Sequence, residues 1–225
     1  MDDSFREGKA VELAIEVKGL AKSFKHEMVL QDVNLHLYQG KCYGFVGRNG
    51  SGKSVFFKLI CGFLLPDKGT VRIFGKELGK DMDFATDTGV VIEHPGFMLD
   101  FSGFQNLNYL AAIRNVIRKE QIYQAITAVG LDPENRKKVK SYSVGMKQRL
   151  AIAQAIMEEP RILILDEPMN GLDKSGVLQI RELLKSKISE GVTILMSSHI
   201  AEDIQQLCDE VFEFDNGSLK PLQFV

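Results

Sequence analysis

Residues 47–54 read Gly47-Arg48-Asn49-Gly50-Ser51-Gly52-Lys53-Ser54, which is the pattern G-x-x-x-x-G-K-S. A short apolar strand pattern precedes this stretch, and apolar residues at helical spacing follow it. The glycines let the backbone curl tightly, so that its N–H groups and the N-terminus of the next helix face phosphate oxygens. Lys53 adds a positive charge for the β- and γ-phosphates, and the Ser54 hydroxyl is suited to Mg²⁺. The stretch predicts a nucleoside-triphosphate site; the alternative is a glycine-rich turn that binds nothing.

With 225 residues, the chain is long enough for one large α/β domain with a subdomain. Its content of 44% hydrophobic and 26% charged residues is ordinary for a soluble globular protein. A net charge of −2 gives no broad attraction to nucleic acid or to an anionic membrane. The three cysteines and four histidines lack metal-ligand spacing, so we expect reduced thiols in a cytosolic protein and no zinc site. We also expect neither a signal peptide nor a membrane span, because no apolar run is suitable. Any membrane association is therefore expected to come through a partner.

The N-terminal part contains alternating apolar patterns at residues 11–17 and 33–37, and a strand pattern at residues 71–74. Together they predict an antiparallel sheet beside the nucleotide site. Phe24 lies between the first two patterns. Its ring could stack on an adenine, but a single phenylalanine in a loop is more often part of the core. Further along, the apolar strand at residues 89–92 places Glu93 at its C-terminal end, where open α/β sheets bind ligands.

The region from residue 94 to 149 has the pattern of a helical insertion. Ser102 begins a capping box for a helix that runs to about Arg118, and a second helix stops at Gly130. The apolar loop at residues 97–104 is expected to be subdomain core; the alternative is an exposed docking surface.

A helix begins after the stretch Lys-Ser-Tyr-Ser-Val-Gly-Met at residues 140–146. The small residues Ser143 and Gly145 leave free N–H groups at this helix N-terminus, which suits an anion. The alternative is an ordinary serine cap.

The strand pattern at residues 162–165 ends in two acids, Asp166 and Glu167. Asp166 can hold the Mg²⁺ shell through water, and Glu167 can polarise an attacking water. The alternative is a capped strand end. Beyond it, strands alternate with helices, which predicts a parallel core sheet. One of these strands ends near His199, and a single histidine at a strand end is commonly structural.

In their order and spacing, these motifs resemble the nucleotide-binding domain of ATP-binding cassette (ABC) transporters, over roughly residues 11–220. Residues 47–54 resemble the Walker A motif, and residues 162–166 the Walker B strand. Ser143 lies 23 residues before Asp166, where the family's LSGGQ signature belongs. Residues 170–173 are similar to the D-loop.

The resemblance implies a P-loop NTPase (RecA-like) α/β core with a parallel sheet, an N-terminal antiparallel β subdomain and an inserted helical subdomain. The core would comprise about residues 10–93 and 150–225, and the helical subdomain about residues 94–149.

The resemblance also implies ATP and Mg²⁺, and roles for particular residues. Lys53 would clamp phosphate, Glu167 would activate water, and His199 would sense the γ-phosphate. The residues implied to approach the metal are Ser54, Glu93 and Asp166. The residues implied to contact the nucleotide are Phe24, Gly47, Arg48, Asn49, Gly50, Ser51, Gly52, Lys53, Ser54, Val55, Ser143, Gly145 and Asp173.

Three positions depart from the family pattern. Glu93 stands where the family usually has glutamine, the signature reads Tyr-Ser-Val-Gly-Met, and Phe24 replaces the commoner tyrosine. The first two departures are similar to the bacitracin-resistance and lantibiotic-immunity exporters.

The resemblance implies partners as well. Each ATP would be held between two cassettes, most simply in a homodimer, and a separate transmembrane permease would place the chain on the inner face of the cell membrane. No nucleic-acid partner is expected. The alternatives are a soluble ABC ATPase that acts as an assembly or remodelling motor, and a regulatory cassette without hydrolysis. A GTPase is disfavoured because no Asn-Lys-x-Asp stretch occurs.

Overall fold

Two β-sheets form the framework of the protein in the computed structural model, which describes residues 12–25, 27–93 and 96–222. The strands are β1 (Leu13–Phe24), β2 (Glu27–Tyr38), β3 (Cys42–Val46), β4 (Lys68–Ile73), β5 (Lys76–Glu77), β6 (Thr88–Val91), β7 (Ile162–Asp166), β8 (Thr193–Ser197), β9 (Glu210–Asp215) and β10 (Ser218–Leu222). The helices are α1 (Lys53–Cys61), α2 (Gly103–Arg114), α3 (Lys119–Ala128), α4 (Val144–Ile156), α5 (Lys174–Ser189) and α6 (Ala201–Leu207). Val11, which begins the first predicted strand, and the predicted chain break at His94-Pro95 lie outside the described residues.

The smaller sheet is antiparallel, with strand order β2-β1-β4-β5. This confirms the predicted antiparallel sheet, but the prediction of a loop around Phe24 is wrong because β1 continues to that residue. The register of β1 shifts between Val17 and Leu20 and again between Leu20 and Lys22. Such bulges move apolar residues out of strict alternation while the strand continues. The sequence pattern therefore ends before the strand does.

The larger sheet has strand order β10-β9-β3-β8-β7-β6, and only the edge strand β10 is antiparallel to its neighbour. The predicted parallel core is confirmed. Because β3, β6, β7 and β8 run in the same direction, their C-terminal ends meet at one edge of the sheet. The predicted phosphate loop and both acids follow strands at this edge.

Side chains alternate between two cores across the parallel strands. Leu163 and Leu165 face a core built with helices α2 to α5. Ile162 and Ile164 face the other core, which α1 and the antiparallel sheet complete. Phe45 lies in this second core and packs on Phe56 of α1, with ring centroids 5.2 Å apart. Burial of each such ring contributes about 1.5–3 kcal/mol, so α1 and the loop before it rest on a rigid base.

The helical region between β6 and β7 begins at the predicted capping box. The hydroxyl of Ser102 accepts from the N–H of Gln105, whose side chain accepts from the N–H of Ser102. The prediction that this helix reaches about Arg118 is wrong: α2 ends at Arg114, because Asn115 adopts the left-handed conformation with φ 52°. Of the helices in the part of the chain that the structure describes, none has the length and apolar character that a bilayer crossing requires.

Candidate nucleotide site

The loop at residues 47–54 requires its glycines. Gly47 has φ 142° and Gly52 has φ 105°, a region that side chains with a Cβ rarely adopt. A Cβ on Gly47 would lie 2.7 Å from the carbonyl oxygen of Phe214, and one on Gly52 would lie 2.9 Å from Leu30 Cδ2. The loop is thus pressed against the sheet, and α1 begins directly after it at Lys53. The first N–H groups of α1 have no partner within the helix, which favours an anion at this end.

The ammonium group of Lys53 lies in the curve of this loop. Its Nζ donates to the carbonyl oxygens of Gly47, at 2.7 Å, and of Arg48, at 3.1 Å. Although Lys53 carries a charge, its side chain is buried. The hydroxyl of Ser51 is also buried, and it has no hydrogen-bond partner among the described residues. Buried polar atoms are normally paired, so the hydroxyl of Ser51 is available to donate a hydrogen bond to an oxygen of a ligand.

Ser54 and Asp166 meet across the edge of the parallel sheet. The hydroxyl of Ser54 donates to Asp166 Oδ2 at 2.5 Å, and the hydroxyl of Ser197 donates to Asp166 Oδ1 at 2.5 Å. Hydroxyl and carboxylate oxygens are the donors that Mg²⁺ prefers. Within residues 12–25, 27–93 and 96–222, no group of three or more His, Cys, Asp or Glu side chains could hold a metal ion. The two oxygens of Ser54 and Asp166 suit a Mg²⁺ ion that would take its other ligands from water and phosphates, as is usual for that ion.

Glu167 follows Asp166 in the left-handed conformation, with φ 52°. This conformation turns its side chain toward the end of β8, where Oε2 lies 2.8 Å from His199 Nδ1. The backbone N–H of His199 also donates to this carboxylate, at 3.3 Å. On the other side, the amide of Gln148 donates to the carbonyl oxygen of Pro168 at 3.1 Å. The predicted base and the predicted sensor are thus in direct contact.

Glu93 is not joined to Ser54 or Asp166. Its carboxylate accepts from Lys58 Nζ at 2.6 Å, and its backbone has φ 58°. Glu93 lines two cavities. One, of about 640 Å³, is also lined by Asp166 and Glu167. The other, of about 880 Å³, lies between β6 and helices α2 and α4. Glu93 is therefore placed between the acids and a second groove.

Phe24 lies outside the buried cores. Its side chain is 42% exposed, and Lys22 Nζ lies 5.5 Å from the centre of its ring. The core alternative for Phe24 is therefore wrong. A partly exposed ring at a strand end can offer its face to a base.

Ser143, Gly145 and Asp173 make no hydrogen bond to residues 47–54 in the described part of the chain. Ser143 caps α4 by accepting from the N–H of Met146, and Asp173 caps α5 by accepting from the N–H of Gly176. Gly145 packs on the turn before α5, since a Cβ there would lie 2.7 Å from the carbonyl oxygen of Gly171.

Three residues of the site were missed by sequence reasoning: Lys58, Gln148 and Ser197. Lys58 and Ser197 bind predicted residues of other elements, and Gln148 binds Pro168, the residue after Glu167. No local pattern indicates such contacts. Only Ser197 carried a signal, as a polar residue that ends a buried strand two positions before His199.

Comparisons with known proteins agree with this geometry. The family model described as "ABC transporter" matches residues 30–170. The bacitracin transport ATP-binding protein BcrA of Enterococcus faecalis is 42% identical and aligns with 93% of this chain and 68% of its own length. The lantibiotic transport ATP-binding protein SrtF of Streptococcus pyogenes is 35% identical, over 87% of this chain and 84% of its own length.

Solved structures show the same fold. The structure described as an ATP binding subunit of an ABC transporter has a TM-score of 0.83 at 27% identity and covers 93% of this chain and 90% of its own. The ATP-binding cassette MJ0796, in a dimeric post-hydrolysis state bound to ADP and Pi, has a TM-score of 0.82 at 20% identity. It covers 94% of this chain and all of its own. The α/β P-loop NTPase fold predicted from the motifs is therefore confirmed.

Proposed function

Because the chain belongs to the ABC transporter family, we propose that it powers the export of a peptide antibiotic, a lipid or a similar amphiphile through a separate membrane permease. The chain is an ABC-type ATPase that binds ATP. The names of its relatives, which are transport proteins for bacitracin and for lantibiotics, support the substrate class. One observation carries the catalytic part of the proposal: a continuous row of hydrogen bonds runs from Ser54 to Asp166, Ser197, Glu167 and His199.

In the proposed mechanism the loop at residues 47–54 binds the triphosphate. Phosphate oxygens accept from its N–H groups, from the first turn of α1 and from the unpaired hydroxyl of Ser51. The ammonium of Lys53 moves from the carbonyl oxygens of Gly47 and Arg48 to the β- and γ-phosphates, where its positive charge is better matched. Phe24 stacks its exposed ring on the adenine.

Ser54 and Asp166 would hold Mg²⁺, which when bound would neutralise developing charge on the phosphates. Glu167 is the general base: a carboxylate oxygen takes the proton of the attacking water. His199 contacts that carboxylate through Nδ1, so the imidazole can link the base to the γ-phosphate. Glu93 is paired with Lys58 and would approach the metal position once this ion pair opens.

A second copy of the chain completes the site in this proposal. Among the described residues, Ser143, Gly145 and Asp173 make no hydrogen bond to the phosphate loop (residues 47–54) of their own chain. The neighbouring Val144 is 72% exposed. The N-terminus of α4 would meet the γ-phosphate held by the partner's loop. These contacts are lost when hydrolysis removes the γ-phosphate, so ATP closes the dimer and hydrolysis opens it.

The permease would dock in the cavity of about 880 Å³ beside β6. Two apolar side chains of its lining, Phe63 and Val116, are more than half exposed. Phe63 also packs on the exposed ring of Phe84. Apolar residues that stay exposed together are typical of interaction surfaces.

Since Glu93 lines both this cavity and the one next to Asp166 and Glu167, a docked permease segment would contact Glu93 and could change its position relative to these two acids. This docking would hold the chain on the inner face of the membrane.

The proposal is tested by two measurements. Phosphate release is measured from the purified chain with Mg²⁺ and ATP, and resistance is measured in a bacitracin-susceptible strain that expresses the chain together with a membrane permease from a bacitracin exporter. We expect phosphate release, and resistance that is lost in the variant Glu167→Gln. Phosphate release without resistance to any peptide antibiotic would contradict export of a peptide antibiotic, and no release would contradict the catalytic part.

A further inference from the structure

The hydroxyl of Ser197, at the C-terminal end of β8, connects the two acids of the site. Its side chain is fully buried. It donates to Asp166 Oδ1 at 2.5 Å and accepts from the backbone N–H of Glu167 at 2.9 Å. We infer that Ser197 is a positioning residue that sets the geometry of Asp166 and Glu167 for Mg²⁺ and water. This inference rests on the proposed function and deepens it.

The first effect is on the orientation of Asp166. A hydroxyl has a single hydrogen, and that of Ser197 is used on Oδ1. The other oxygen, Oδ2, then faces Ser54 and the phosphate loop. Without the bond from Ser197, the carboxylate keeps only its bond from Ser54, so the orientation of its oxygens toward the metal position is less well fixed. Partners that orient metal ligands in this way typically change metal affinity 10- to 100-fold when removed.

The second effect is on the backbone of Glu167. A non-glycine residue in the left-handed conformation costs about 1–2 kcal/mol, and it persists only where its surroundings hold it. The bond from the N–H of Glu167 to Ser197 is one such contact, and this conformation directs the carboxylate toward His199. Ser197 therefore fixes both acids, although it has no place of its own beside the phosphates.

The neighbouring Ser198 provides a matched control. Its side chain is also almost fully buried, at 4% exposure. Its hydroxyl donates to Asp203 Oδ2 at 3.1 Å and accepts from the N–H of Ile200 at 3.0 Å. Ser198 thus makes the same number of hydrogen bonds as Ser197, but none to Asp166 or Glu167. A difference between Ser197→Ala and Ser198→Ala reports the contact with the acids, not the loss of a buried hydroxyl.

The test measures the affinity of a non-hydrolysable ATP analogue by calorimetry, with Mg²⁺ and with EDTA, for wild type, Ser197→Ala, Ser197→Thr and Ser198→Ala. In wild type, the Mg²⁺-dependent gain is the ratio of the affinity with Mg²⁺ to the affinity in EDTA. We expect this ratio to be about tenfold smaller in Ser197→Ala, while the affinity in EDTA is unchanged. Ser197→Thr, which keeps the hydroxyl, is expected to restore the gain, and Ser198→Ala to keep it. Thermal melts verify that each variant is folded.

An unchanged Mg²⁺-dependent gain in Ser197→Ala, or an equal loss in Ser198→Ala, overturns the inference. If Ser197→Ala does not fold, Ser197→Cys is measured instead, since its thiol is a weaker donor of similar shape; an unchanged gain there also overturns it. A wild type that lacks any Mg²⁺-dependent gain contradicts the proposed function itself. If wild type and Ser197→Ala show the same Mg²⁺-dependent gain, only the role of Ser197 is contradicted.

Discussion

His199 Nδ1 lies 2.8 Å from Oε2 of Glu167, at the ends of the neighbouring strands β7 and β8. The pairing of these strands brings together two residues that are 32 positions apart in the chain. A histidine that orients a carboxylate, with a water between that carboxylate and a phosphate, is an arrangement suited to hydrolysis.

Glu167→Gln should remove the base without removing ATP. The amide has a similar shape to the carboxylate but cannot take a proton from water, so we expect turnover to fall about 10²- to 10⁴-fold. The measurement pairs phosphate release with retention of labelled ATP on a filter. Turnover at the wild-type rate would show that another group is the base.

Glu93→Gln should change the dependence of hydrolysis on Mg²⁺. A carboxylate is a stronger ligand for this ion than an amide, so we expect the variant to need more Mg²⁺ for half-maximal phosphate release. Lys58→Met is the matched control, because it breaks the same ion pair but leaves the carboxylate in place. If the two variants respond alike, the ion pair is what matters, and the metal role of Glu93 is contradicted.

Asp203→Ala should strongly lower the free energy of unfolding. Asp203 is fully buried and accepts from Nε and Nη2 of the buried Arg181, at 2.8 and 2.5 Å. Its removal leaves a buried charge without its partner, which costs about 3–5 kcal/mol. Glu202→Ala is the control, since Glu202 binds the same Arg181 from the surface and its loss should cost much less. Urea unfolding measures both; similar midpoints would contradict the burial of the pair.

Cys42 and Cys61 should react slowly with iodoacetamide at pH 8. Burial raises the pKa of the Cys61 thiol to about 12. The hydrogen bond with Cys208, together with burial, raises the pKa of Cys42 well above its ordinary value. A raised thiol pKa means that the reactive thiolate is nearly absent at pH 8 and increases only at higher pH. We expect peptide mapping by mass spectrometry to show slow labelling of both residues in the folded protein and full labelling in guanidinium. Rapid labelling of Cys61 in the folded protein would be the contrary result.

The sequence was informative wherever one local pattern determines both structure and chemistry. The glycine-rich loop requires positive φ angles at Gly47 and Gly52, and the run of apolar residues before Asp166 is typical of a buried parallel strand. Both features are visible in adjacent residues, so the parallel core and the phosphate loop could be predicted.

Other features depend on contacts between distant segments. The continuation of β1 to Phe24 follows from bulges that alternation does not reveal. The ion pair between Lys58 and Glu93, and the two bonds of Ser197, join different elements. Such contacts depend on strand order and register, which sequence periodicity does not specify.

The central claim is that ATP binds between two copies of this chain. Ser143→Glu is a suitable control, because a negatively charged side chain at the N-terminus of α4 should repel the partner's γ-phosphate and leave the chain's own loop intact.

The most direct test is the molar mass of Glu167→Gln, measured by light scattering after size exclusion, with and without ATP. We predict the mass of one chain, 25.2 kDa, without nucleotide, and twice that mass with ATP. Glu167→Gln combined with Ser143→Glu should stay at the mass of one chain in both conditions. If Glu167→Gln binds ATP and still elutes at the mass of one chain, ATP does not join two copies, and the account is contradicted.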